Sequence, residues 1–89
     1  MNVITVDSNK TLNKEQMYEL TKFLFLIGAS IFRDFNPNGK PNYFIQMRTK
    51  TVHADSIEKA MRLFIKEITQ PNYTFLSNNW KRKLAKIMR

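Results

Sequence analysis

ASIFRDFNPNGKPNYFIQMRTKTV, residues 29–52, sets two runs rich in aromatic and β-branched residues on either side of a cluster of turn formers. Ala29 to Phe35 reads as a strand. Asn36-Pro37-Asn38-Gly39-Lys40-Pro41 reverses the chain, because the Asn-Gly pair can supply the positive φ of a tight turn. Asn42 to Val52 reads as one longer strand, so the segment predicts a β-hairpin. Side chains alternate across a pleated strand. Tyr43, Ile45 and Met47 are thus expected on the core face, with Phe44, Gln46, Arg48 and Lys50 forming a mixed aromatic and basic surface on the other.

Helical signals flank the hairpin. Upstream, Asn13 as N-cap with Gln16 three residues on is a capping box, and Leu12 faces Met17 as a hydrophobic staple. Met17, Leu20, Phe23, Leu24 and Ile27 then follow helical spacing up to Gly28, a residue able to end the helix in the left-handed region. A helix is expected over Lys14–Ile27. Its apolar run Phe23–Ile27 exceeds what one face of so small a core needs, which points to a second covered side or a homodimer interface. Downstream, Asp55-Ser56-Ile57-Glu58 reads as a second capping box with Asp55 as N-cap. Ile57, Ala60, Met61, Phe64, Ile65 and Ile68 then mark a helix over Ser56–Thr69, closed by Pro71.

The ends complete the pattern. Asn2 to Val6 alternates around Val3, Ile4 and Val6 and predicts a first strand. Ser77 to Arg89, SNNWKRKLAKIMR, predicts a third helix whose apolar stripe is Trp80, Leu84, Ile87 and Met88. The order strand, helix, strand, strand, helix, helix makes the chain a single α+β domain, a small antiparallel sheet with helices on one face. An RNA-recognition domain orders its elements differently. A double-stranded RNA-binding domain has three successive strands between its helices, where one hairpin is expected here.

Composition narrows the function. The 89 residues carry a net charge of +8 with a pI near 10.1. The excess is uneven: residues 1–40 hold five Lys/Arg against four Asp/Glu, residues 41–89 hold ten against three. Such asymmetry suits a polyanionic partner, nucleic acid first. There is no Cys, which removes thiolate chemistry and any tie to an oxidising compartment. No secretion signal or membrane-length apolar run is visible, so a cytoplasmic protein with no membrane partner is expected. Burial on folding reaches roughly 64% of the unfolded surface for a chain of this mass, enough for one core.

Catalysis has little material. The single His53 stands near Asp55, a pair more in keeping with a helix junction than with a metal site. The other carboxylates are scattered, and two glycines cannot make a phosphate-binding loop. A non-enzymatic protein without metal or cofactor is expected. For nucleic acid the candidate residues are Arg33, Lys40, Phe44, Arg48 and Lys50 of the hairpin and Lys81, Arg82, Lys83, Lys86 and Arg89 of the terminal helix. The cations would contact phosphates and Phe44 would stack a base. The alternative is a module that docks on a host enzyme or nucleoprotein and inhibits it through Trp80, Leu84 and Ile87. The Asn, Lys and Ile usage, with the small size and basic charge, fits a regulatory accessory protein of phage or mobile-element type.

Overall fold

The computed structural model describes residues 10–89, and the strand expected over Asn2–Val6 lies outside the described residues. The elements are α1 (Lys14–Leu26), β1 (Ser30–Phe35), β2 (Pro41–Met47), β3 (Lys50–Ala54), α2 (Ile57–Ile68) and α3 (Asn78–Ile87). The fold is α+β, with one antiparallel sheet in the order β1-β2-β3. No helix of the described residues is long and apolar enough to cross a membrane.

The ends of α1 follow the sequence closely. The Asn13 side chain accepts from the Gln16 N–H at 2.8 Å, and Gln16 Oε1 accepts from the Asn13 N–H at 2.9 Å. Gln16 Nε2 also reaches across to α3, donating to the carbonyls of Ile87 at 2.8 Å and Arg89 at 3.0 Å. One side chain thus caps the first helix and ties down the end of the last. At the other end Gly28 takes φ +83°, and the N–H groups of Gly28 and Ala29 return to the carbonyls of Phe25 and Leu24. That is the Schellman arrangement, and it turns the chain directly into β1.

The hairpin loop is held by Asn36, whose Oδ1 accepts from the N–H groups of Asn38 and Lys40 while Gly39 adopts φ +80°. The second expected strand is in fact two. Arg48, at φ +54°, and Thr49 make a two-residue turn, and Lys50–Ala54 folds back on β2 as β3. Periodicity hid the break because Arg48 is not a turn former by type. Three successive strands, not one hairpin, therefore stand between α1 and α2.

The cap of α2 lies one residue later than expected. Ser56, not Asp55, accepts from the Lys59 N–H at 3.1 Å. Glu58 is thereby released from capping; it pairs with Arg62 and accepts from the Leu12 N–H. The buried side of α2 is Ala60, Met61, Phe64, Ile65 and Ile68, as its spacing requires. It covers the face of β2 and β3 that carries Ile45, Met47, Val52 and Ala54, and Leu20, Phe23, Leu24, Leu84 and Met88 of the other helices complete the core.

Candidate nucleic-acid interface

α3 is rotated from its expected setting. Its buried side chains are Lys81, Leu84 and Ala85, with Met88 just beyond its end, a stripe at i, i+3, i+4 and i+7. Lys81 is 2% exposed, and its ammonium donates at 2.6 Å to the Gln70 carbonyl, which also accepts from the Tyr73 N–H at 3.0 Å in the turn after α2. Lys81 is therefore corrected from phosphate contact to structural cap. The remaining cations Arg82, Lys83, Lys86 and Arg89 are exposed. Arg82 and Lys86 share one side of the helix by their i, i+4 spacing, and Arg89 follows just past its end.

The alternative partner residues are committed to the fold. Leu84 is fully buried and Ile87 half-buried. Trp80 packs on Phe23 of α1, with ring centroids 5.0 Å apart, and is 37% exposed. Insertion of α3 into a partner's groove would undo this packing.

Lys83 Nζ lies 4.5 Å from the Trp80 ring centre, and the Arg48 guanidinium 4.3 Å from that of Phe75. Phe75 is 61% exposed. Between these two cation–aromatic pairs opens a cleft of about 360 Å³ lined by Ile27, Met47, Arg48, Phe75, Leu76, Ser77 and Trp80. On the far side of Phe75 a second hollow of about 230 Å³ is bordered by Thr49, Lys50, Asn72, Tyr73, Thr74 and Phe75. The buried Tyr73 hydroxyl has no hydrogen-bond partner among the described residues. Burial pushes its pKa above the ordinary phenol value, and the Arg48 cation works in the opposite direction. Phe75, Tyr73 and the cleft were missed in the sequence because residues 71–77 have no periodic pattern to place them.

The conformation of Arg48 marks it out. A two-residue hairpin with φ positive only at its first position normally puts Gly there. Left-handed backbone costs an ordinary L-residue about 1–2 kcal/mol. An arginine held there, with its guanidinium on an exposed ring, is the kind of local strain found at binding sites.

The other hairpin residues are dispersed. Lys50 is not on the outer face; its ammonium pairs with Glu67 of α2 at 3.5 Å. Phe44 and Gln46 do occupy the outer face, in register with Phe32 and Ser30 of β1. Arg33, opposite Tyr43 and so on the inner face, is exposed beyond the core, its guanidinium 5.2 Å from the Phe35 ring centre. Lys40 is exposed in the β1–β2 loop. The cations therefore form two groups, Arg33 with Lys40 and Arg48 with α3, separated by the length of β2, roughly 20 Å. Among the described residues no group of three or more His, Cys, Asp or Glu could hold a metal ion.

Comparison with protein-family models, curated proteins and solved structures gave no match.

Proposed function

We propose that the protein is a small, non-enzymatic nucleic-acid-binding accessory protein acting in the cytoplasm, of phage or mobile-element type. The observation that carries this reading is Arg48, held in left-handed backbone against exposed Phe75 across a cleft from Trp80 and Lys83. Aromatic faces edged by cations suit bases and phosphates together. The exposed α3 cations extend the positive surface, and the charge excess of residues 41–89 gives it long-range attraction for a polyanion.

Salt dependence tests the mechanism. If Arg48, Arg82, Lys83, Lys86 and Arg89 each neutralise one phosphate, log K falls against log salt with a slope of about −3.5 for single strands and about −4.5 for duplex. An affinity indifferent to salt would reject phosphate binding. Replacing Arg82, Lys86 and Arg89 by Gln should lower the slope by about 2 to 3 with folding retained.

A second reading is favoured by α1, where Tyr18, Phe25 and Leu26 are exposed at 63%, 68% and 75%. Here the protein docks on a host enzyme or nucleoprotein and inhibits it through α1, not through the α3 edge. The run Phe23–Ile27 is split, with Phe23 and Leu24 buried and Phe25 and Leu26 outside, so the same surface would serve a homodimer. Phe25→Glu with Leu26→Glu should abolish capture of a protein partner after nuclease treatment while leaving nucleic-acid binding intact. Retained capture would reject the α1 surface.

A further inference from the structure

The outer face of the sheet has a layered chemistry. The register places Phe32, Phe44 and His53 in one row across the three strands. Ser30, Gln46 and Thr51 form the row on one side, Asp34 and Asn42 the row on the other. The Phe32 and Phe44 rings are parallel to within 5° with centroids 5.1 Å apart, and His53 continues the row 5.7 Å from Phe44. Two coplanar rings lying side by side could not come this close, so the two Phe rings stand stacked out of the sheet. Phe32 is 45% exposed, and among the described residues β1 is an edge strand and the ring face away from Phe44 has no ring partner.

We infer that this face is a stacking platform for single-stranded nucleic acid, whose bases extend the Phe32–Phe44–His53 row. The inference rests on the nucleic-acid reading above and names the form of polymer bound. Charge argues for that occupant: exposed Lys40 stands before one end of β2 and exposed Arg48 follows the other, so a cation for the backbone stands at each end of an aromatic row for the bases. The flanking rows argue against a second sheet. Sheet-on-sheet packing interdigitates apolar side chains from successive rows, whereas here hydroxyls, amides and a carboxylate border the single aromatic row. Those groups can hydrogen-bond base edges, which a duplex keeps paired and stacked and a single strand leaves free.

The test is fluorescence anisotropy with labelled oligothymidylate and oligouridylate of about 12 nucleotides, within the usual site range, beside duplex DNA and duplex RNA of the same length. Wild type is expected to prefer the single strands. Phe32→Thr, which keeps a strand-forming residue on an exposed edge, should weaken single-strand binding by about 5- to 150-fold for one lost stack, with an unchanged salt slope and unchanged duplex binding. Phe32→Trp should bind at least as well as wild type. Thermal melts confirm that both variants fold. Preference for a duplex, single-strand affinity unmoved by Phe32→Thr, or a wild-type dimer that Phe32→Thr dissociates would each overturn the platform. The first two leave the phosphate-binding surface in place, whereas binding to none of the four polymers would remove the nucleic-acid reading itself.

Discussion

Arg48 offers a way to separate folding from binding within one side chain. Arg48→Ala keeps a Cβ at φ +54° and loses the guanidinium contact with Phe75, a cation–π pair worth about 0.5–1 kcal/mol at an exposed site. Arg48→Gly loses the same contact but relieves about 1–2 kcal/mol of left-handed strain. Against that relief stands the larger entropy of Gly in the unfolded chain, about 0.5–1 kcal/mol. Arg48→Gly should therefore be the more stable of the two by about 0.5–1 kcal/mol, and within about 1 kcal/mol of wild type. For a domain of this size about 1 kcal/mol moves Tm by roughly 4–8 °C. Binding should not distinguish them: both remove one phosphate contact and should flatten the salt slope by about 0.7 on single strands or 0.9 on duplex. The measurements are thermal melts of the three proteins and anisotropy titrations between about 50 and 200 mM salt, the range over which such contacts express themselves. A Gly variant less stable than the Ala variant by about 0.5–1 kcal/mol, the entropy cost alone, would show that the turn stores no strain at Arg48. Wild-type affinity in either would take Arg48 out of the interface, and with it the observation on which the proposed function stands.

Other consequences concern the scaffold. Lys81→Met keeps the aliphatic stem but removes the donor to the Gln70 carbonyl, so it should destabilise the fold by about 1–2 kcal/mol in urea melts without changing nucleic-acid affinity; a loss of affinity matching that of Arg82→Gln would return Lys81 to the binding surface. Gln16→Glu preserves the Asn13 capping box yet turns a carboxylate towards the carbonyls of Ile87 and Arg89, so it should cost about 1–3 kcal/mol, more than Gln16→Ala. The reverse ranking would mean that the tie between the two helices carries no energy. Tyr73→Phe removes a buried hydroxyl that has no hydrogen-bond partner among the described residues, and should leave stability unchanged or raise it by up to about 1–3 kcal/mol. Because burial raises the Tyr73 pKa in the folded state, the neutral phenol favours folding below the unfolded value near 10, and that contribution is lost as pH rises through the higher folded value. Stability measured from about pH 9 to 11 should accordingly fall more steeply for wild type than for Tyr73→Phe, and parallel curves would contradict it.

What the sequence made legible was set by local chemistry with a fixed period. The Asn13 box and the Ile57–Ile68 stripe both appear as read, because capping and helical burial depend on residues three and four apart. The misreadings occurred where a distant contact decided the outcome. Asn42–Val52 alternates without interruption, and only pairing of Lys50–Ala54 back onto β2 reveals that Arg48 turns the chain. Lys81 looks like one more cation in a basic helix; the second lone pair of the Gln70 carbonyl, eleven residues earlier, gives its ammonium a buried acceptor, and the apolar stripe is rotated to match. Phe44 was legible as an outward ring, but its row with Phe32 and His53 required the register of three strands. Both departures from local rules have a physical reason, and the reasons differ. Lys81 breaks the amphipathic pattern and satisfies a backbone group in return, so the structure itself accounts for it. Arg48 breaks a turn preference that Gly would satisfy, and its stack on an exposed Phe75 returns less than the backbone strain it bears. A residue whose folded-state interactions do not offset its strain calls for an interaction outside the fold, and the function proposed above supplies one: for an exposed arginine beside aromatic rings on a strongly basic chain, a phosphate backbone.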